Sequence, residues 1–284
     1  MDLFRRTDWL MLGSAVLISL AGLVSMYAFG QGTTFGERQT IWLCLGVIVF
    51  FIFSLVDFRF LRRTGVVTAL YLIAVSLLAL LFIVGATFKG AQSWFDLGFF
   101  AVEPVDPAKF ALILVLAKYF SRRHIEIAQL RHLLVSGAYM FVVFALLFFQ
   151  PDFGSAVIVA GVWMGMVLIA GIPVRHLLGL LAIGAIAFAG LWFFAFEPYQ
   201  KDRIMTFIHP LSDVSGAGYN AFQSTVAVGS GGLLGKGIGY GTQSRLQFLP
   251  EHETDFIFAA FAEEWGLIGT LILLSLFAVL FFRL

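Results

Sequence analysis

The sequence predicts an all-α fold: a polytopic membrane helix bundle with about eight transmembrane helices present and one long extracytoplasmic loop between the seventh and the eighth. Three observations predict it. Of 284 residues, 60% are hydrophobic and only 12% are charged, roughly half the charge of a soluble domain. Thirty-three phenylalanines and a mean hydropathy of +0.95 exceed what a water-facing globule of this size can hide. Apolar runs long enough to cross a hydrocarbon core recur along the chain. This composition excludes a soluble enzyme, a nucleic-acid binder and a disordered chain. The 18 basic residues nearly balance the 17 acidic ones, so only their positions inform. The single cysteine, Cys44, makes no internal disulfide and no cysteine-based metal site.

In order, the predicted spans are 8–29, 40–56, 66–86, 106–120, 133–149, 153–172, 174–195 and 255–282. The first is too long for a signal-peptide core and lacks a small-x-small cleavage site, so it is a helix. The fourth opens on Asp106-Pro107, an N-cap followed by proline at the first helical position. It also carries Lys109, which in a short span needs a counter-charge or water. Between the fifth and sixth spans, Gln150 to Ser155 form a polar break. Asp152 there either caps the sixth helix or pairs with Lys109 across a cavity.

Eleven basic residues fall on one side: Arg5, Arg6, Arg59, Arg62, Arg63, Lys118, Arg122, Arg123, Arg131, Arg175 and Arg283. Opposite them the short loops hold only Arg38 and Lys89. The positive-inside rule therefore predicts that both termini are cytoplasmic. The loop of about 196–254 then lies outside, and a structureless connection of that length is unusual and often functional. The segment 89–105 reads as lying in the membrane interface rather than crossing it.

Within the long loop, Gly229 to Gly237 resembles a phosphate-binding loop but fails its pattern, because Ser230 and Gly237 stand where Gly and Ser or Thr are needed. Two readings stay open. The glycines let a compact loop turn sharply, or its backbone N–H groups and Lys236 hold a phosphate. Farther on, Pro250 to Phe258 returns the chain to the membrane. Thr254 or Asp255 either caps the last helix or presents a carboxylate as a general base. Glu263 and Glu264, two turns deeper, face protein or a wet cavity rather than lipid. Tyr199 to Arg203 is either an interfacial anchor or, through Lys201 and Arg203, a contact for an anionic lipid headgroup. From physics alone these residues allow a transporter, a lipid-modifying enzyme or an assembly scaffold.

At these same positions the chain resembles the SEDS family (shape, elongation, division and sporulation), closest to its rod-shape branch. The resemblance lies in Lys89 to Gly98, Pro104 to Lys109 and Gln150 to Ser155. It continues through Gly216 to Ser224, Gly229 to Gly237, Gly241 to Ser244 and Phe248 to Glu251, then Thr254 to Phe258 and Glu263-Glu264. Such proteins usually have ten membrane helices, so the resemblance implies a single membrane domain over 1–284 that lacks the last two. Glu253 stands where the family often has His, and Val105-Asp106 replaces its usual Ser-Glu.

The resemblance implies a peptidoglycan glycosyltransferase that joins lipid II units during elongation, at the outer face of the bacterial cytoplasmic membrane. It implies a class B penicillin-binding protein and other elongation-complex membrane proteins as partners, and no nucleic acid. It makes Asp255 the catalytic residue, as base or through a divalent metal such as Mg or Mn. Expected substrate contacts are Arg203, Lys109 and Lys236 at the pyrophosphate, Asp152 and Asp106 orienting Lys109, and Trp94 lining the lipid or sugar groove. A lipid II flippase and a non-catalytic scaffold are the alternatives. A flippase needs polar groups through the full membrane depth, whereas most of those here cluster near the outer half.

Overall fold

The computed structural model describes residues 7–29, 34–88, 91–96, 101–123, 129–194, 196–209, 214, 216, 218–250 and 252–284. Every predicted span is a long helix: α1 (Trp9–Phe29), α2 (Thr34–Leu55), α3 (Thr64–Val84), α4 (Val105–Arg123), α5 (Leu130–Phe149), α6 (Phe153–Ile169), α7 (Val174–Phe194) and, after the loop, α11 (Ile257–Arg283). Among the described residues, six of these are long and apolar enough to cross a membrane: α1, α2, α3, α5, α7 and α11. α4 is too polar and α6, at 17 residues, too short to meet that standard alone. The chain is a multi-pass membrane protein.

It divides into two compact units, Met1–Val56 with Leu191–Leu284, and Asp57–Gly190. The second unit packs α3, α4, α5 and α6 around Leu78, Leu81, Leu112, Leu116 and Leu147, none of which is accessible. Lipid is as apolar as these side chains, so interhelical hydrogen bonds carry part of the specificity. The Tyr71 hydroxyl donates to the Tyr139 carbonyl at 2.7 Å, and buried Gln150 Nε2 donates to the Leu78 carbonyl at 2.6 Å. Trp163 Nε1 donates to Ser136 Oγ at 3.1 Å.

The segment expected to lie in the interface contributes to a small antiparallel sheet, in the order β1 (Ala86–Phe88), β2 (Ala91–Asp96), β3 (Ala101–Val102). The adjacent aromatics Trp94 and Phe95 favour a strand, and β2 packs on α3. Lys89, Gly90, Leu97 and Gly98 of the resembling run lie outside the described residues.

In the first unit α11 packs along α1, and α2 packs on α1. Arg283 Nη2 reaches Asp8 Oδ2 at 2.7 Å, so α1 begins where α11 ends. The long connection, for which a structureless course would be unusual, carries three helices: α8 (Pro198–Ile208), α9 (Tyr219–Ser230) and the single turn α10 (Thr242–Arg245). α8 opens with a capping box, in which Glu197 and Gln200 exchange side-chain and backbone hydrogen bonds around Pro198. α9 lies against α11. α11 itself is broken at Gly266, whose φ of 64° and ψ of −165° are non-helical.

Candidate functional site

Asp255 stands in the turn just before α11. The helix cap is Phe256, which begins α11 without a side-chain capping bond. The expectation that Thr254 or Asp255 caps the helix is therefore not met, because Asp255 falls one residue and Thr254 two residues before the cap position. Asp255 is exposed. A carboxylate free of the helix end keeps its lone pairs for a ligand or a proton.

Behind it, Glu263 and Glu264 are buried, with accessibilities of 0% and 1%. In the sequence they were free to bond to neighbouring helices or line a wet cavity; the residues that hold them come from the glycine-rich loop. Glu263 Oε1 accepts from Lys236 Nζ at 2.7 Å, from Thr242 Oγ1 at 3.0 Å and from the Gln243 N–H at 3.1 Å. Glu264 Oε1 accepts from the Gly239 N–H. The loop is held by backbone as well: the N–H groups of Lys236 and Gly237 donate to the carbonyls of Glu263 and Glu264, both at 3.0 Å. On the far side of the Gly266 break, the N–H of Leu267 donates to the Gly232 carbonyl at 2.9 Å.

This settles how the glycines are used. At Gly235, φ is 80°, and a Cβ would lie 2.7 Å from the nitrogen of Gly266; only glycine lets the two backbones approach so closely. The N–H groups of 236, 237 and 239 point at α11. Lys236, expected at the pyrophosphate, has its ammonium on Glu263 and Thr242 and remains 27% exposed. Arg203 is exposed on α8. Lys201, two residues before it, lies 6.0 Å from the centre of the Trp192 ring, a cation–π distance.

The remaining predicted residues belong to the second unit. α4 begins at Val105, with the Ala108 N–H donating to the Pro104 carbonyl. Asp106 is thus inside the first turn rather than its cap, and its carboxylate takes Lys109 Nζ at 3.1 Å, as (i, i+3) neighbours do. Asp152 accepts from the Ser155 N–H at 3.1 Å and caps α6. Of its two readings the cap holds, and Lys109 takes its carboxylate from Asp106. Trp94 is half-buried on β2, opposite Ala86.

Sequence reasoning missed Glu103. Burial raises its carboxyl above the ordinary range, the charges of Asp106 and Asp152 raise it further, and Lys109 opposes them. Glu103 therefore senses Asp106, Asp152 and Lys109 together, and the signal was the acidic residue just ahead of Pro104 at a charged helix start. Thr242, Gln243 and Ser244 were noticed only as part of a resembling run, not as donors to a buried glutamate. Among the described residues, no three His, Cys, Asp or Glu side chains converge to hold a metal ion.

Comparison with known proteins places this geometry. The model of a family of cell cycle proteins, FtsW/RodA/SpoVE, matches residues 3–284. The peptidoglycan glycosyltransferase MrdB of Escherichia coli K12 is 38% identical over 268 residues, covering 94% of this chain and 71% of MrdB. Stage V sporulation protein E of Bacillus subtilis is 36% identical over 279 residues, 96% of this chain and 74% of that protein. Among solved structures, a peptidoglycan synthase complex that coordinates polymerization and crosslinking contains a chain with a TM-score of 0.78 and 30% identity. That match covers 97% of this chain and 76% of the other. The rod shape determining protein RodA of Thermus thermophilus matches with a TM-score of 0.66 and 29% identity, over 97% of this chain and 73% of its own. With a matching model over nearly the whole sequence and relatives above 30% identity, the chain belongs to the FtsW/RodA/SpoVE (SEDS) family.

Proposed function

We propose that this protein is a peptidoglycan glycosyltransferase that polymerises lipid II at the outer face of the bacterial cytoplasmic membrane, in cell elongation, with its N terminus in the cytoplasm. The observation that carries the proposal is Asp255, an exposed carboxylate at the membrane boundary with no capping bond to the helix behind it. In each cycle its carboxylate takes the proton from the acceptor's sugar hydroxyl as that oxygen bonds to C1 of the donor sugar. The C1–O bond to the pyrophosphate breaks, and undecaprenyl pyrophosphate leaves with the electron pair. Pyrophosphate leaves readily once its charge is neutralised, so a second carboxyl acting as acid is unnecessary, unlike the glycosidase arrangement.

Arg203, Lys109 and Lys236 are the cations proposed to meet that charge. Asp106 orients Lys109, which keeps 22% of its side chain exposed for a ligand. Asp152 supports the same region by capping α6, and Trp94 lines the lipid or sugar groove. No step is routed through a metal. A class B penicillin-binding protein and other elongation proteins are the proposed partners, in line with the likeness to a synthase complex. The flippase alternative fares worse: the deepest carboxylates, Glu263 and Glu264, are inaccessible and bonded to the loop rather than lining a path.

The test is a lipid II polymerisation assay on the purified chain beside Asp255→Ala, with and without the penicillin-binding protein and Mg or Mn. Glycan strands from the wild type and none from the variant are expected. Full activity in Asp255→Ala sinks the assignment.

A further inference from the structure

Within the second unit, the start of α3 and the end of α4 enclose, with α5, a cup of about 180 Å³, roughly six water molecules' share of liquid volume. Thr64 and Thr68 of α3 line it, as do Lys118 and Arg122 of α4 and Tyr139 of α5. The members of each pair are four residues apart, so they face the same way from their helix at a spacing of ~6 Å. Buried Val67 and Val115 give the cup an apolar floor.

The two cations of the cup are not neutralised by the protein. Lys118 Nζ donates to the carbonyl of Arg62, two residues before α3. That bond fixes the ammonium at the cup and leaves two of its three N–H groups for a ligand. Arg122 is exposed, and among the described residues it has no hydrogen bond or ion pair. Lys109 and Arg59 of the same unit each have a carboxylate partner; Lys118 and Arg122 have none among the described residues. Both belong to the side that the charge bias assigns to the cytoplasm. The positive-inside rule accounts for cations on that face, but not for two of them lining one cavity beside two hydroxyls.

A carboxylate has two oxygens to share among these donors. A phosphate has more, and its tetrahedral spread suits the planar fork of Arg122, the point charge of Lys118 and a threonine hydroxyl together. Basic pockets between membrane helices on the cytoplasmic side bind phosphate-bearing headgroups.

We propose that this cup binds a phosphate group on Lys118 and Arg122, carried by an anionic lipid headgroup or by a soluble phosphate. It uses none of the residues proposed for polymerisation and does not depend on that activity.

The test is thermal denaturation of the purified chain in a neutral, phosphate-free detergent. Sodium phosphate is compared with sodium chloride at equal ionic strength. Micelles holding phosphatidylglycerol are compared with micelles holding the same mole fraction of phosphatidylcholine. A ligand of the folded state raises the melting temperature with the logarithm of its concentration, by about 5 °C at a hundred times its dissociation constant. A rise with phosphate identifies a soluble source, and a rise with phosphatidylglycerol alone identifies the headgroup. The double variant Lys118→Gln, Arg122→Gln should lose the response. The double variant Arg59→Gln, Arg175→Gln removes the same charge from exposed arginines that do not line the cup, and it should keep the response. If phosphate matches chloride and phosphatidylglycerol matches phosphatidylcholine in the wild type, the proposal is overturned without reference to any variant. A rise that survives in Lys118→Gln, Arg122→Gln overturns it as a general effect of the salt or the micelle. A rise lost equally in Arg59→Gln, Arg175→Gln overturns it as attraction to the net charge of the face.

Discussion

Lys236 and Glu263 form an ion pair of 2.7 Å in which the carboxylate is wholly inaccessible and the lysine is 27% exposed. The pair joins the glycine-rich loop to the last helix across 27 residues of sequence. Taking a carboxylate out of water is costly, and it is tolerated here because Lys236, Thr242 and the Gln243 N–H all donate to it.

Removing the lysine leaves a buried charge. Lys236→Met should destabilise the protein by about 3 kcal/mol, the low end for breaking a buried pair, since water reaches the lysine side. The double variant Lys236→Met, Glu263→Gln should recover part of that loss, a non-additivity expected of partners in contact. Thermal denaturation in detergent reads both, and strictly additive losses would contradict the pairing.

Asp255 is predicted to behave oppositely. It is exposed and caps nothing, so Asp255→Asn should leave the melting temperature within a degree or so of wild type while lowering glycan synthesis by about 10²-fold or more, the usual worth of a general base. A large loss of stability would mark it as a structural residue.

At Gly266 the backbone is in a region open essentially to glycine alone. A Cβ there would also lie 2.7 Å from the Leu233 carbonyl oxygen. Gly266→Ala should cost about 3 kcal/mol or more. The control is Gly22→Ala in α1, where nothing lies within 4 Å of the added carbon and alanine favours a helix by about 1 kcal/mol. Similar melting temperatures for the two variants would rule out the break.

Glu103 gives a pH signature. Its carboxyl is raised in the folded state, first by burial and then by Asp106 and Asp152. A raised carboxyl means the folded chain holds the proton more tightly than the unfolded one, so its contribution is present below the unfolded value and is lost as pH climbs through the raised value. Wild type should therefore lose stability relative to Glu103→Gln as pH rises from about 4. Parallel melting curves across that range would exclude the perturbation.

The helices were legible because hydropathy is a local property: each of the eight predicted spans is a long helix, with ends shifted by a few residues. Local spacing also showed that Lys109 needs a counter-charge and offered Asp152 as a cap, one of its two readings; the partner proved to be Asp106, which had been read as a cap. α8 was equally readable from Glu197-Pro198 followed by Gln200, yet Tyr199 to Arg203 was read for its charges and not for its capping box. The Lys236–Glu263 pair was not readable, because periodicity within one helix says nothing about which distant loop folds back on it. Nor was the break at Gly266, since a glycine between Trp265 and Leu267 looks like any other in a membrane helix.

That break also bears on how the protein is made. A helix interrupted in hydrocarbon exposes carbonyls on one side and N–H groups on the other, with no water to receive them. Here the loop supplies both sets, from Gly232 and Leu233 to the N–H groups and from the nitrogens of Lys236 and Gly237 to the carbonyls. Residues 232–237 leave the ribosome before Ile257 does. The strand of chain that completes the helix's own ladder is thus already synthesised when the helix emerges, and the discontinuous helix docks onto an existing template instead of waiting, unsatisfied, for one.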